Sequence, residues 1–313
     1  MTGGAGFIGA NLCRVLVGDG VDVVVLDDLS TGLDANLRGV DVDLRIASVL
    51  DSAAVADACE GVSAVVHLAA VPSVPRSLHD PRRSHDVNVT GTVAVLDAAR
   101  GVGAHVVLAS SSSVYGNGPE LPKSEDLRCS PASPYAVSKL AAESYALAYQ
   151  RCYGLPCTAF RFFNVFGPLQ PPGHAYAAVV PAFVSAALTG APLVLHGDGD
   201  QTRDFTFVDS VSGVLTRSLA GRVSHDAPVN LAFGTRTSLN TLIDVLSGLL
   251  GRRLEVDRRP PRPGDVRHSQ AAVGVLTSLF PDLTPVPLEE GLRRTIAWME
   301  ENVLAATPGG TPA

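Results

Sequence analysis

Thr2-Gly-Gly-Ala-Gly-Phe-Ile-Gly9 stands at the head of the chain, with glycines at 3, 6 and 9 running into an apolar helical pattern, Ile8–Val17. Glycine permits a tight turn there and lets backbone N–H groups approach a pyrophosphate at the helix N-terminus. Ordinary glycine-rich turns share this spacing, so the next strand decides between the two. Val21–Leu26 reads as a buried strand and ends at Asp27, about 20 residues into the unit, where a carboxylate can accept adenosine ribose hydroxyls. An acid at this point repels a 2′-phosphate, and no arginine follows it closely, so the spacing predicts NAD rather than NADP. Gly3, Gly6, Phe7, Ile8, Gly9 and Asp27 are the first candidate cofactor contacts. A loop of this kind should follow a hydrophobic strand, yet none precedes Met1, and without it the neighbouring strands would have unpaired edges. The expectation is that the native chain begins upstream, Met1 standing for a valine whose GTG codon was read as a start.

Outward from this loop, β-type runs alternate with helical patterns. Val42–Ile46, Ala64–Leu68, His105–Leu108 and Cys157–Phe162 read as buried parallel strands. Asp51–Cys59, Pro81–Arg100 and Pro134–Tyr153 read as helices between them. The alternation predicts an α/β fold, a Rossmann-type doubly wound parallel sheet over residues 1–164. After Asn164 the rhythm breaks into Pro/Gly-rich loops, which suggests a smaller α/β substrate domain over 165–304, with some segments returning to the sheet. The tail 305–313 (AATPGGTPA) is too poor in apolar residues to form a core and is expected to be disordered. There is no internal repeat.

Composition bounds the function. At 313 residues the chain can bury a large core. A net charge of −7 argues against nucleic acid or an anionic membrane as partner. No apolar run reaches the roughly 20 residues that span a bilayer, and the opening lacks the charged and apolar regions of a signal peptide. Five scattered cysteines (Cys13, Cys59, Cys129, Cys152, Cys157) form neither CxxC spacing nor an even set, which fits a reducing cytoplasm. The eight histidines show no metal-ligand spacing, so no metal is expected, and His67 and His268 read as structural.

Of 24 lysines and arginines, only Lys123 and Lys139 are lysines. Lys139 stands one helical turn after Tyr135 in Ser133-Pro-Tyr-Ala-Val-Ser-Lys139, so both lie on one face. An ammonium beside a phenol favours the phenolate. A tyrosine of ordinary pKa near 10 is a poor base at neutral pH and becomes a usable one in that setting.

With these stretches go His67-Leu-Ala-Ala70, Asn88-Val-Thr-Gly-Thr92, Ser110-Ser-Ser-Ser-Val-Tyr-Gly116, Arg161-Phe-Phe-Asn-Val-Phe-Gly167, Gly197-Asp-Gly-Asp-Gln-Thr-Arg-Asp-Phe205 and Arg262-Pro-Gly-Asp-Val-Arg-His-Ser269. In this ordered set the chain resembles the extended short-chain dehydrogenase/reductase family, in its nucleotide-sugar epimerase branch. The resemblance implies a catalytic trio of Ser111, Tyr135 and Lys139, with Lys139 lowering the Tyr135 pKa and holding the nicotinamide ribose. It implies further NAD contacts from Ser48, Val49, Leu68, Ala69, Ala70, Asn88 and Phe162. The substrate is implied to be a UDP-sugar held by Ser73, Ser111, Ser112, Ser113, Tyr135, Asn164, Arg203, Arg262 and Ser269, with Arg203 and Arg262 on its diphosphate. The implied reaction is redox-neutral: Tyr135 takes the 4-OH proton, the C4 hydride goes to NAD+, and the 4-keto sugar turns over and receives the hydride on its other face. A homodimer through two long helices is also implied.

Dehydratases and decarboxylases of this superfamily place acids just after the Ser111 position; here stand Ser112 and Ser113, which favours simple C4 epimerisation. Ser-Val-Pro-Arg-Ser at 73–77, the segment Phe163–Pro181 and Gly264–Gln270 resemble UDP-N-acetylglucosamine 4-epimerases. Ser269 stands where a tyrosine would crowd the sugar C2 substituent. It therefore leaves room for UDP-GlcNAc and UDP-GalNAc while UDP-Glc and UDP-Gal stay open. UDP-glucuronate, a dTDP-sugar, or a catalytically silent NAD-binding sensor are the alternatives. Three departures bear on NAD retention: Ala47-Ser48-Val49 lacks the usual aspartate, Pro72 replaces a lysine, and Asp28 replaces an asparagine.

Overall fold

The computed structural model describes residues 1–172, 178–261 and 266–304. Its first half runs α1 (Phe7–Gly18), β1 (Val24–Asp27), β2 (Asp43–Ile46), α2 (Ser52–Cys59), β3 (Ala64–His67), α3 (Val74–His79), α4 (Pro81–His85), α5 (Gly91–Val102), β4 (His105–Ser111), α6 (Pro134–Tyr153) and β5 (Cys157–Phe162). The second half adds β6 (Val165–Phe166), α7 (Val179–Thr189), β7 (Leu193–His196), β8 (Thr202–Arg203), β9 (Thr206–Phe207), α8 (Val208–Ala220), β10 (Val229–Leu231), β11 (Thr237–Ser238), α9 (Leu239–Leu249), β12 (Val256–Arg259), α10 (Gly274–Leu279) and α11 (Leu288–Met299).

β3, β4, β5 and β10 pair in parallel in that order, and β1 pairs with β2. Met1 and Thr2 join the two groups. Thr2 bridges Leu26 of β1 and His67 of β3 in the parallel sense, its N–H donating to the Val66 carbonyl at 3.0 Å. From this point the chain winds to β1 on one side and β3 on the other, which makes it the topological switch point where such sheets open a crevice at their carboxyl ends.

Helices cover both faces of β3, β4 and β5, so these strands read as unbroken apolar runs, whereas the edge strand β2 leaves Ile46 67 % exposed and is not the buried strand expected over Val42–Ile46. All seven residues of β4 are buried. Leu12 of α1, Val214 of α8 and Phe280 pack on Val107 and Phe160 on one face. Val55 of α2, Val95 of α5 and Ala146 of α6 pack on Val65 and Leu108 on the other. Beyond the sheet, α7, α9 and α11 enclose a separate core with Phe183, Leu195, Leu242 and Met299. Each such side chain contributes about 1.5–3 kcal/mol by leaving water.

Three further local expectations need correction. β1 begins at Val24, since Val21 is 47 % exposed and belongs to the turn. The helix expected over Pro81–Arg100 is interrupted by a π-helical turn, Asp86–Thr90, whose extra residue turns Asn88 inward. α3 forms in a stretch with no helical expectation. Pro75 fits its first turn because no N–H is needed there, and the Ser73 side chain accepts from the Arg76 N–H at 3.5 Å. Among the described residues no helix is long and apolar enough to cross a membrane.

Candidate active site

Backbone crowding explains the opening glycines. Gly3 has φ +73°, and a Cβ on it would lie 2.6 Å from the Ala69 nitrogen; one on Gly9 would lie 2.3 Å from the Gly3 carbonyl oxygen. The loop therefore presses against the Leu68–Ala70 backbone with α1 closed down on it. Asp27, at the end of β1, braces the same loop: Oδ2 accepts from the Ala5 N–H at 3.0 Å and Oδ1 from the Leu29 N–H at 2.9 Å. Burial pushes its carboxyl pKa up, and these two N–H groups oppose the shift.

A cavity of about 480 Å³ opens above this loop. Its walls carry Gly3, Gly6, Phe7, Ile8, Gly9 and Asp27 of the glycine-loop unit together with Ser111, Tyr135, Lys139 and Phe162, and also Val49, Leu68, Ala69, Ala70 and Ser73. A second cavity of about 260 Å³, lined by Asn164 and Arg203, adjoins it and shares Val165 and Ala178 on its wall. A glycine loop, a helix N-terminus and a strand-end carboxylate lining the cavity fit the pyrophosphate and ribose of a dinucleotide, so these residues would hold NAD.

Two elements carry Ser111, Tyr135 and Lys139. α6 starts cleanly: the Ser133 side chain accepts from the Ala136 N–H at 3.2 Å, Pro134 takes the first turn, and Gly154 closes the helix at φ +69°. Tyr135 and Lys139 thus project one turn apart against the end of β4, where Ser111 stops the strand. Ser111 Oγ accepts from the Ser113 N–H at 3.2 Å and donates to Ser113 Oγ at 3.1 Å. Burial raises the Tyr135 pKa, and a hydrogen bond with Ser111 pulls it back down. The Lys139 ammonium donates to the Ala109 carbonyl of β4 at 2.9 Å. Ser111 therefore favours the Tyr135 phenolate, and Lys139 stands one turn along the same helix with its hydrogen bond on the Ala109 carbonyl.

Burial lowers the Lys139 pKa to about 8. Because this lies below the free-lysine value of 10.5, the folded chain sheds its proton first, and stability rises with pH between about 8 and 10.5. Nitrogen NMR of chain labelled at lysine should show two amine signals, one titrating near pH 8. Replacing Lys139 with arginine should remove that signal.

Other candidates stand away from the cavity walls. Asn88 is 1 % exposed and holds the cofactor loop by its backbone: it accepts from the Val71 N–H at 2.7 Å and donates to the Val71 carbonyl at 3.2 Å and to Ser138 Oγ at 2.9 Å. Ser48 accepts from the Leu50 N–H at 3.2 Å, within its own turn. Ser112 and Ser113 form the short 3₁₀ turn after Ser111. Ser269 is half-buried beside β8, its N–H donating to the Thr202 carbonyl at 3.1 Å. Arg262 lies outside the described residues, as does the tail 305–313. His67 is buried between Thr2 Oγ1 at 2.7 Å and Thr92 Oγ1 at 2.9 Å, with its pKa lowered to about 3 by burial, and so stays neutral. Gln170 and Arg76 line the first cavity and His196 the second. Arg76 lies within the quoted 73–77 stretch, but nothing in the spacing of Gln170 or His196 marks them.

Residues 1–232 match the NAD dependent epimerase/dehydratase family. The chain belongs to that family. Within it, a "UDP-glucose 4-epimerase" of Mycolicibacterium smegmatis is 39 % identical over 303 residues, 95 % of this chain and 96 % of that protein. The fold matches the UDP-N-acetylglucosamine 4-epimerase of Methanobrevibacter ruminantium M1, solved with UDP-N-acetylmuramic acid, at a TM-score of 0.91 and 34 % identity over 96 % of this chain and 97 % of the other. It also matches the UDP-glucose 4-epimerase of Thermus thermophilus, solved with NAD, at a TM-score of 0.87 and 33 % identity over 96 % and 98 % of the two chains. An NAD-dependent enzyme of the epimerase class with a Rossmann-type sheet follows for this member of the family.

Proposed function

We propose that the chain is a cytoplasmic UDP-sugar 4-epimerase whose pocket admits N-acetylhexosamines. The observation that carries this reading is that Ser111, Tyr135 and Lys139 line the same cavity as the glycine loop and Asp27. Bound NAD supplies the acceptor and donor for the C4 hydride. Tyr135 takes the sugar 4-OH proton and returns it, with Ser111 turning its one hydroxyl proton from Ser113 Oγ to the phenolate as the hydrogen-bonding bridge. Lys139 brings a cation to the same cavity, and Arg203 and Asn164 line the adjoining cavity where the nucleotide diphosphate would lie. Without a carboxylic acid at 112 or 113 the site lacks a group to expel water, which supports epimerisation over dehydration. A homodimer through α5 and α6 is supported by the exposed Val137 and Tyr145 on α6.

The test is incubation with UDP-GlcNAc, UDP-Glc and UDP-GlcA separately, with and without added NAD+, followed by chromatographic separation of the C4 epimers. Turnover of UDP-GlcNAc and of UDP-Glc is expected. The resemblance puts residue 269 beside the sugar C2 substituent, so Ser269→Tyr should then remove UDP-GlcNAc turnover and leave UDP-Glc turnover. Turnover of UDP-GlcA alone would overturn the pocket assignment.

A further inference from the structure

Asp204 is 0 % exposed and sits where the segments carrying the proposed nucleotide-sugar ligands converge. Its Oδ2 accepts from the Gly234 and Ala271 N–H groups, both at 3.0 Å. Its Oδ1 accepts from the Thr235 N–H at 3.1 Å and Thr235 Oγ1 at 2.8 Å. Its backbone carbonyl accepts from Asn164 Nδ2 at 3.5 Å. Arg203 precedes it in the chain, and Ser269 stands two residues before Ala271. Asp204 thus ties to Asn164 through its backbone carbonyl, to Arg203 through the chain, and to the segment of Ser269 through the Ala271 N–H.

Regular structure does little to fix these segments. β8 and β11 have two residues each, and Asn164 turns a corner at φ +29°. Taking a carboxylate out of water is costly, and burial pushes its pKa up while the four donors oppose the shift. An apolar side chain could fill the space at lower cost but could not bind loop N–H groups from two segments at once. We infer that Asp204 is the positioning residue of the nucleotide-sugar site, a clamp that sets the separation of Arg203, Asn164 and Ser269 before the ligand arrives. The inference rests on the proposed function. Its consequence is selective: a clamp on these segments governs nucleotide binding, whereas the glycine loop, braced by Asp27, and the Val71 segment, held by Asn88, include none of Asp204's hydrogen-bond partners.

Calorimetric titration of UDP into the NAD-loaded chain tests this, with NAD affinity measured in parallel. Asp204→Asn turns an N–H towards backbone donors, and Thr235→Val removes a single hydroxyl from a surface position. Loss of one to two hydrogen bonds predicts UDP binding weaker by about tenfold in the first and about threefold in the second, with NAD affinity unchanged. If Asp204→Asn does not fold, Thr235→Val decides the matter. Unchanged UDP affinity in Thr235→Val overturns the inference, as does a parallel fall in UDP and NAD affinity, which a general loosening of the fold would give. A wild-type chain that binds NAD but no UDP overturns the proposed function itself, and the clamp with it.

Discussion

Tyr135→Phe should lower kcat for C4 epimerisation by about 10²- to 10⁴-fold, the span of positioned acid–base catalysis. UDP and NAD affinities should be unchanged. On the proposed mechanism the phenol oxygen is the proton acceptor, and phenylalanine keeps the ring, and hence the packing of the first turn of α6. The loss should fall on kcat rather than KM, because the interaction removed is made in the transition state. Ser111→Ala should weaken the same step without abolishing it, since it removes the hydrogen bond that draws the Tyr135 pKa down but leaves the base in place. The measurement is epimer formation under saturating UDP-sugar, with binding of both ligands checked by titration. A Tyr135→Phe chain within tenfold of wild type would move the proton acceptor to another residue, and a chain equally idle with and without Tyr135 would favour an NAD-binding sensor.

What the sequence made legible is what neighbouring residues determine. The glycine spacing, Asp27 after the next strand, and the one-turn separation of Tyr135 and Lys139 are short-range patterns, and all of them reach the cavity. The parallel sheet was legible because strands buried on both faces leave unbroken apolar runs. Direction within a shared face was not. Lys139 lies one turn from Tyr135 as the spacing requires, yet its ammonium is drawn to the Ala109 carbonyl, 30 residues away. Asn88 stands in a motif but braces the loop instead of lining it, because a π-helical turn rotates it inward. Asp204 was quoted only as the neighbour of Arg203; its hydrogen bond to Ala271 spans 67 residues and leaves no local signature.

The same long-range logic gives the largest stability effect. Glu143 and Arg161 have side chains only 3 % and 4 % exposed. Glu143 Oε1 accepts from Arg161 Nη2 at 2.6 Å, and Oε2 accepts from Arg161 Nε at 3.0 Å and Ser110 Oγ at 2.6 Å. The guanidinium also lies 4.7 Å from the centre of the Tyr115 ring. Burial works against the Arg161 charge, but Glu143 outweighs it and the pKa is raised. Glu143→Ala strands that cation, so unfolding in guanidinium chloride should show a loss of about 3–5 kcal/mol. Glu143→Met with Arg161→Met should cost less than Glu143→Ala alone, since it leaves no orphan charge. Glu143 is one turn beyond Lys139 on α6, and Ser110 is the residue before Ser111 on β4. The pair therefore pins the helix that carries Tyr135 to the strand that carries Ser111. A loss below about 1 kcal/mol, within the range of an exposed ion pair, would mean that the apolar contacts of Ala142 and Ala146 hold Tyr135 against Ser111 by themselves.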